Sequence, residues 1–282
     1  MKAIVLNLTA WAVLPIMDGM AKYLSADLHF LQVVWGRYFF MVLISLPLTY
    51  FFFKKYLVKP KNISIQFIRS IFLFLSTVLF FYAISITSMA KALALAFVSP
   101  LIVTLLSSFL LKEKVGFHRW TAVIVGFIGA LIIIQPGFIK INLATLAALG
   151  TGIAYAFYII STRKLSSIDN PLLTLIFTGL FGAIIISLIV PYYWINPNFN
   201  QWLLMIVLAM VGTFGHFCLI LSLNYAEASK LSPLAYFEIV NNILIGYYFF
   251  GDFPNKWLWL GLFFIISSGI YISIRENKLN KS

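Results

Sequence analysis

The stretch FLQVVWGRYFFMVLISLPL, residues 30–48, is apolar almost throughout, yet it carries one permanent charge, Arg37, about two helical turns in. A helix rises 1.5 Å per residue, so about 20 apolar residues cross the hydrocarbon core of a bilayer. Runs of this kind recur along the whole 282-residue chain, which is 62% hydrophobic and 10% charged, with a mean hydropathy of +1.00. Soluble domains carry about a quarter charged residues. The composition therefore excludes a soluble globular protein and predicts an integral membrane protein.

Ten apolar segments are expected, near residues 3–23, 31–53, 64–87, 91–111, 119–136, 143–162, 171–190, 202–222, 230–250 and 257–275. The longest connections, around Lys54 to Asn62 and Tyr192 to Gln201, are about ten residues and leave no room for a soluble domain. A β-barrel is excluded because stretches such as AVIVGFIGALIII are apolar on all sides, whereas barrel strands alternate. Helices remain the way to span. The first segment is too long for a signal-peptide core, holds Pro15 and Asp18 and lacks a small-residue cleavage site, so it is expected to stay as the first helix.

The formal net charge of +12 is distributed as a topology signal. With a cytoplasmic N-terminus, the inner loops and tails carry Lys2, Lys54, Lys55, Lys59, Lys61, Lys112, Lys114, Arg119, Arg163, Lys164, Lys230, Arg275, Lys278 and Lys281, against Lys22, Lys91, Lys140 and Lys256 outside. That asymmetry orients helices during insertion, so the basicity is no nucleic-acid footprint. Both termini are then cytoplasmic. Cys218 is the single cysteine and falls in an apolar segment, which points to packing. The sequons at Asn7 and Asn62 fall in a membrane segment and an inner loop, where no glycan is expected.

An internal repeat sets the architecture. Shifting residues 91–135 by 139 places Lys91 on Lys230, Glu113 on Asp252, Trp120 on Trp259 and Ala130 on Gly269. A shift of 142 places Lys22 on Lys164 and FLQVVWG on LLTLIFT. Five is odd, so the second set of five helices enters the bilayer upside down. The expected fold is all-α: ten transmembrane helices as two inverted five-helix repeats, residues 1–140 and 141–282, both termini cytoplasmic. Inverted repeats permit two near-equivalent shapes open to opposite sides, with a site at the midplane.

The motifs MDGMAKYLS, QVVWGRYFF, FYAISITSMAKALALAFVSPLIVTLLSSFLLKEKVG, GFIGALIIIQPG and GDFPNKWLWLGLFFIISSGIY together resemble bacterial drug/metabolite transporters of the EamA type over essentially the whole chain. The second half departs from the usual pattern at Ile239, where a proline commonly follows the acidic residue. The resemblance implies a multi-pass transporter of small organic metabolites in the bacterial cytoplasmic (inner) membrane. The DGMAK and WGRY subtype is similar to members handling S-adenosylmethionine or riboflavin; other members export amino acids. Coupling to a proton or an exchanged substrate fits this class, as does a homodimer, and no cofactor is implied.

Charged groups inside membrane helices are functional candidates, because an ionised side chain at mid-helix costs about 2.5–3.5 kcal/mol on insertion scales. Arg37 and Asp18 should lie at similar depth, about 9 Å from the outer face at 1.5 Å per residue. They are expected to pair across the first hairpin, with Lys22 one turn beyond Asp18. Glu238 falls near the middle of the ninth segment, in AYFEIVNN, beside Tyr236, Asn241 and Asn242. A carboxyl there suits a proton, a cation or a hydrogen-bond donor. His216, in the eighth segment, reaches comparable depth, and Trp35, Tyr82, Tyr155 and Tyr158 are the aromatic candidates for stacking or cation–π contact.

Small residues mark close helix packing: Gly126 with Ala130, and Gly179 with Gly182. Pro15, Pro47 and Pro100 are candidate bends, and Glu113 and Lys114 belong to an inner loop with a structural or gating role. An intramembrane enzyme is disfavoured, since no HExxH, GxSxG, paired intramembrane aspartates or phosphate-binding loop occurs. A channel would need repeated polar rings. The expected activity is alternating-access transport of a zwitterionic or cationic metabolite through segments one, two, three, six, eight and nine. The alternatives are a planar vitamin such as riboflavin, or a non-transporting membrane scaffold.

Overall fold

The computed structural model describes residues 1–53, 59–113, 115–134, 142–251 and 256–279. Lys54, Lys55, Lys114, Lys140, Asp252 and Lys281 lie outside these residues, as do the side chains of Ala130, Arg275 and Lys278 and the surroundings of Gly269. In chain order the helices are α1 (Lys2–Leu24), α2 (Phe30–Phe53), α3 (Ile63–Ile86), α4 (Met89–Ala96), α5 (Val98–Leu110), α6 (Phe117–Ile134), α7 (Leu143–Leu165), α8 (Pro171–Ile189), α9 (Phe199–Tyr225), α10 (Ala228–Leu231), α11 (Phe237–Phe250) and α12 (Lys256–Leu279). Short 3₁₀ turns follow α8 at Val190–Tyr193 and α10 at Ser232–Tyr236. Among the described residues no strand is present, and seven helical segments are long and apolar enough to cross a membrane.

Asparagines start several of these helices. Asn62, Asn142, Asn170 and Asn198 each accept a backbone N–H of the following first turn, and Asn198 forms a reciprocal capping box with Gln201. Pro171 follows Asn170 at the position where a missing N–H costs nothing. α11 ends at Gly251, whose φ of 69° is the left-handed conformation that a residue without Cβ adopts freely.

Two predicted segments are broken, which turns ten expected helices into twelve. Pro100 cannot donate to the carbonyl of Ala96, and the fourth segment accordingly breaks at Phe97. Pro233 likewise cannot donate to Ser229; the Ser232 hydroxyl donates to that carbonyl instead (3.3 Å), and the chain tightens into the 3₁₀ turn before resuming as α11. The break in the ninth segment therefore precedes Glu238, and the absent proline at Ile239 is compensated six residues upstream. Pro15 and Pro47 lie inside α1 and α2, which run on through them.

Packing is reciprocal. α1 packs on α9 and α3 on α7; α2 packs on α8, α6 on α12 and α4 on α11. Close approaches fall at the small residues. A Cβ on Gly182 would strike the Tyr38 ring, one on Gly126 the Tyr236 ring, and one on Gly179 would press on Val42 at 3.1 Å. Gly152 of α7 lies against the Ala96 carbonyl, at the break that Pro100 creates. Cys218 is buried and unpaired, as packing required.

Candidate functional site

The two helix breaks and the middles of α1, α2, α3, α7 and α9 surround one central cavity, with about 590 Å³ of empty space when its open mouth is included. It is walled by α4 and α5 as well as by the segments expected from sequence. The break before α11 decides where Glu238 sits. Sequence alone puts it in mid-helix; in the structure it occupies the first turn of α11, which continues directly from the 3₁₀ turn Ser232–Tyr236.

Asp18 of α1 lines the same cavity, 3% exposed, and Glu238 is 8% exposed. Among the described residues neither carboxylate forms a hydrogen bond or an ion pair. Arg37, also on the wall, is engaged elsewhere: its Nη1 donates to Thr77 Oγ1 (2.8 Å) and its Nη2 to His216 Nε2 (2.6 Å). The expected Asp18–Arg37 ion pair is therefore not made, because α3 and α9 supply the guanidinium with nearer partners. Lys22 donates its ammonium to Thr87 O (2.7 Å), tying α1 to the turn before α4.

Aromatic rings complete the wall. Trp11, Tyr155, Phe80 and Phe97 face the cavity, and Trp11 and Tyr155 meet edge-on with centroids 6.1 Å apart. These two rings also border a second space of about 340 Å³ that leads toward Leu223 and Ala228. The Trp11 indole is held by Asn7 (2.7 Å), which in turn donates to Ser222.

Of the ten sequence candidates, the structure brings Asp18, Arg37, Tyr155, His216 and Glu238 to this cavity. Tyr158 lines an adjacent small space with Arg37 and Arg69. Trp35 lies apart, stacked on Phe39 and edge-on to Trp194 and Trp202, with its indole N–H on Ser187 (3.0 Å). Tyr82 packs against Phe30. Tyr236 sits under Gly126 and donates to Val123 O (3.1 Å), and Asn241 donates to Trp11 O (3.4 Å). These four are not among the residues that line the cavity.

Sequence reasoning passed over Trp11, Phe80, Phe97 and Thr77, which nothing distinguishes from other apolar-helix residues. It also passed over Arg69, fully buried in α3 and bonded to Thr162, Thr174 O, Thr178 and Tyr158. Its signal, a charge inside an apolar run, equals that of Arg37. Among the described residues no group of three metal-ligating side chains gathers.

The EamA-like transporter model matches residues 1–135 and 142–274, nearly the whole chain in two copies. The chain belongs to the EamA-like transporter family. Among EamA-type relatives, an S-adenosylmethionine uptake transporter of Rickettsia prowazekii is 28% identical over 261 residues, covering 93% of this chain and 88% of that one. A riboflavin transporter of Vibrio cholerae is 33% identical over 192 residues, 68% of this chain and 64% of that one. A solved crystal structure superposes with a TM-score of 0.80 over 98% of both chains at 16% identity, which shows the fold alone. The chain is thus a multi-pass membrane protein of a family that moves small molecules.

Proposed function

We propose that this protein is a secondary transporter that carries a cationic or zwitterionic metabolite with a planar apolar part, of the S-adenosylmethionine type, by alternating access. The observation that carries the reading is the pair of unbonded carboxylates, Asp18 and Glu238, in an aromatic-walled cavity. Such carboxylates are costly to bury alone and gain most from a cationic ligand group or a proton. Trp11, Phe80, Phe97 and Tyr155 suit a heteroaromatic ring and a neighbouring cation.

The reciprocal packing of α1 on α9 with α3 on α7 supports ten membrane segments in two inverted repeats, residues 1–140 and 141–282, with both termini in the cytoplasm of a bacterial inner membrane. In this arrangement the breaks at Phe97 and Ser232–Tyr236 are counterparts, and their rings meet, Phe97 against Tyr236 at 5.3 Å. Rocking one repeat on the other would open opposite ends of the cavity. A riboflavin-type substrate is the second reading, favoured by the aromatic walls; a neutral flavin would leave both carboxylates uncompensated.

The test is uptake of radiolabelled S-adenosylmethionine and riboflavin into proteoliposomes. Uptake of the sulfonium compound is expected, falling at least tenfold in Glu238→Gln and Asp18→Asn while folding is retained. Riboflavin uptake indifferent to both substitutions would establish the second reading, and transport of neither would refute both.

A further inference from the structure

Behind the cavity wall, between α2, α3, α7, α8 and α9, Arg37 bonds His216 and Arg69 bonds Tyr158, and these two side chains meet each other. A guanidinium only donates, so His216 Nε2 must accept from Arg37, which leaves the His216 proton on Nδ1, directed at Tyr158 Oη (3.3 Å). Arg69 Nη2 also donates to Tyr158 Oη (3.3 Å). The phenol oxygen thus receives two donors, and among the described residues its own O–H finds no acceptor.

The imbalance extends through the cluster. Thr77 gives its proton to Leu73 O (2.8 Å), so Tyr38 must donate to Thr77, as Arg37 does. Of the five N–H bonds on each guanidinium, Arg37 uses two and Arg69 four. Among the described residues neither arginine meets a carboxylate in hydrogen-bonding contact. Two buried positive charges and a surplus of donors therefore surround a space lined by Arg37, Arg69, Tyr158, Thr178 and His216. It admits a guest about the size of a water molecule or a halide ion.

We propose that this space is a binding site for a small monovalent inorganic anion of the chloride class, held by the Arg37 and Arg69 guanidinium groups and the Tyr158 hydroxyl. An organic carboxylate is too large. A water supplies acceptor lone pairs but leaves the Arg69 charge uncompensated, since the carboxyl that acts on Arg37, Asp18, lies on the far side toward the central cavity, and burying charge without compensation is the larger cost. Because Arg37 borders both this space and the central cavity, the anion holds its guanidinium on the wall that an organic substrate meets.

The test uses the purified full-length protein in detergent with no organic substrate, so it is read separately from the transport proposal. Melting curves are recorded in sodium chloride, sodium bromide and sodium gluconate at equal ionic strength, since a ligand of the folded state raises its stability with saturation. Chloride and bromide are expected to raise the melting point saturably over gluconate, with Tyr158→Phe weakening the half-saturating concentration about tenfold, as loss of one charge-assisted donor implies. Crystals grown in bromide should show an anomalous peak between Arg37, Arg69 and Tyr158, which decides the matter even if the variant fails to fold. Superimposable curves in the three salts, or a bromide crystal without that peak, would overturn the proposal in favour of a water-filled site.

Discussion

Glu113 offers the sharpest mechanical test of alternating access. Its carboxylate, 6% exposed, accepts Ala228 N (3.0 Å) and Arg163 Nε (3.4 Å) on one oxygen and Ser229 N (3.0 Å) and Ser229 Oγ (2.8 Å) on the other. It thereby fastens the end of α5 to the start of α10 and to α7, while Arg163 also donates to Leu223 O at the end of α9. Replacing Glu113 by Gln keeps shape but turns one oxygen into a donor. In the least costly orientation the Ser229 hydroxyl reverses to accept, yet the Ser229 N–H loses its partner, at about 1–3 kcal/mol for a buried donor. The pair with Arg163, whose side chain is 26% exposed, contributes about 0–1 kcal/mol after screening. Together these give about 1–4 kcal/mol, and the midpoint of about 2.5 kcal/mol is a factor of roughly 70 toward any arrangement in which this end is open. The assay is alkylation of Ser99→Cys, which lines both connected cavities, in a Cys218→Ser background, by a membrane-impermeant maleimide added to inside-out vesicles. The labelling rate should rise more than tenfold with Glu113→Gln. A lowered melting point with an unchanged labelling rate would refute the gate and leave Glu113 as a structural tie.

Two further outcomes follow from packing and placement. Gly152→Ala drives a Cβ into the Ala96 backbone carbonyl, which cannot move as a side-chain tip would, so a loss of about 1–3 kcal/mol is expected in detergent unfolding; an unchanged midpoint would show the α4–α5 break to be pliable. Trp11→Ala, which removes a cavity wall, should abolish saturable uptake, whereas Trp35→Phe, remote from the cavity, should alter uptake less than twofold; the reverse order in transport assays would place the substrate elsewhere.

The class of the fold was legible because bilayer thickness sets the length of an apolar run, and eight of the ten apolar runs reappear as single helices within a few residues of their expected ends, the fourth and ninth being interrupted. The helix breaks were only half legible. Pro100 was visible as a bend, but whether a proline bends or breaks a membrane helix depends on partners for the freed carbonyl, and Pro15 and Pro47 are absorbed without interruption. Pro233 attracted no notice beside the glutamate it serves. Its effect is to tighten the chain into a 3₁₀ turn just before Glu238, which places that carboxyl in the first turn of α11.

Charge placement shows where reading along the chain stops. Counting residues from the helix ends places Arg37 and Asp18 together, and both line one cavity. Depth leaves angular position open, and on a helix of 3.6 residues per turn that angle selects the partner. Thr77 and His216, from helices distant in sequence, hold the guanidinium. The consequence is functional. An Asp18–Arg37 ion pair would have been a closed electrostatic unit, whereas an arginine hydrogen-bonded to neutral groups leaves two carboxyl groups on the cavity wall without a hydrogen-bond partner among the described residues. Neutralising Glu238 should therefore weaken a cationic substrate without disturbing Arg37, a separation that a mutual ion pair would not allow.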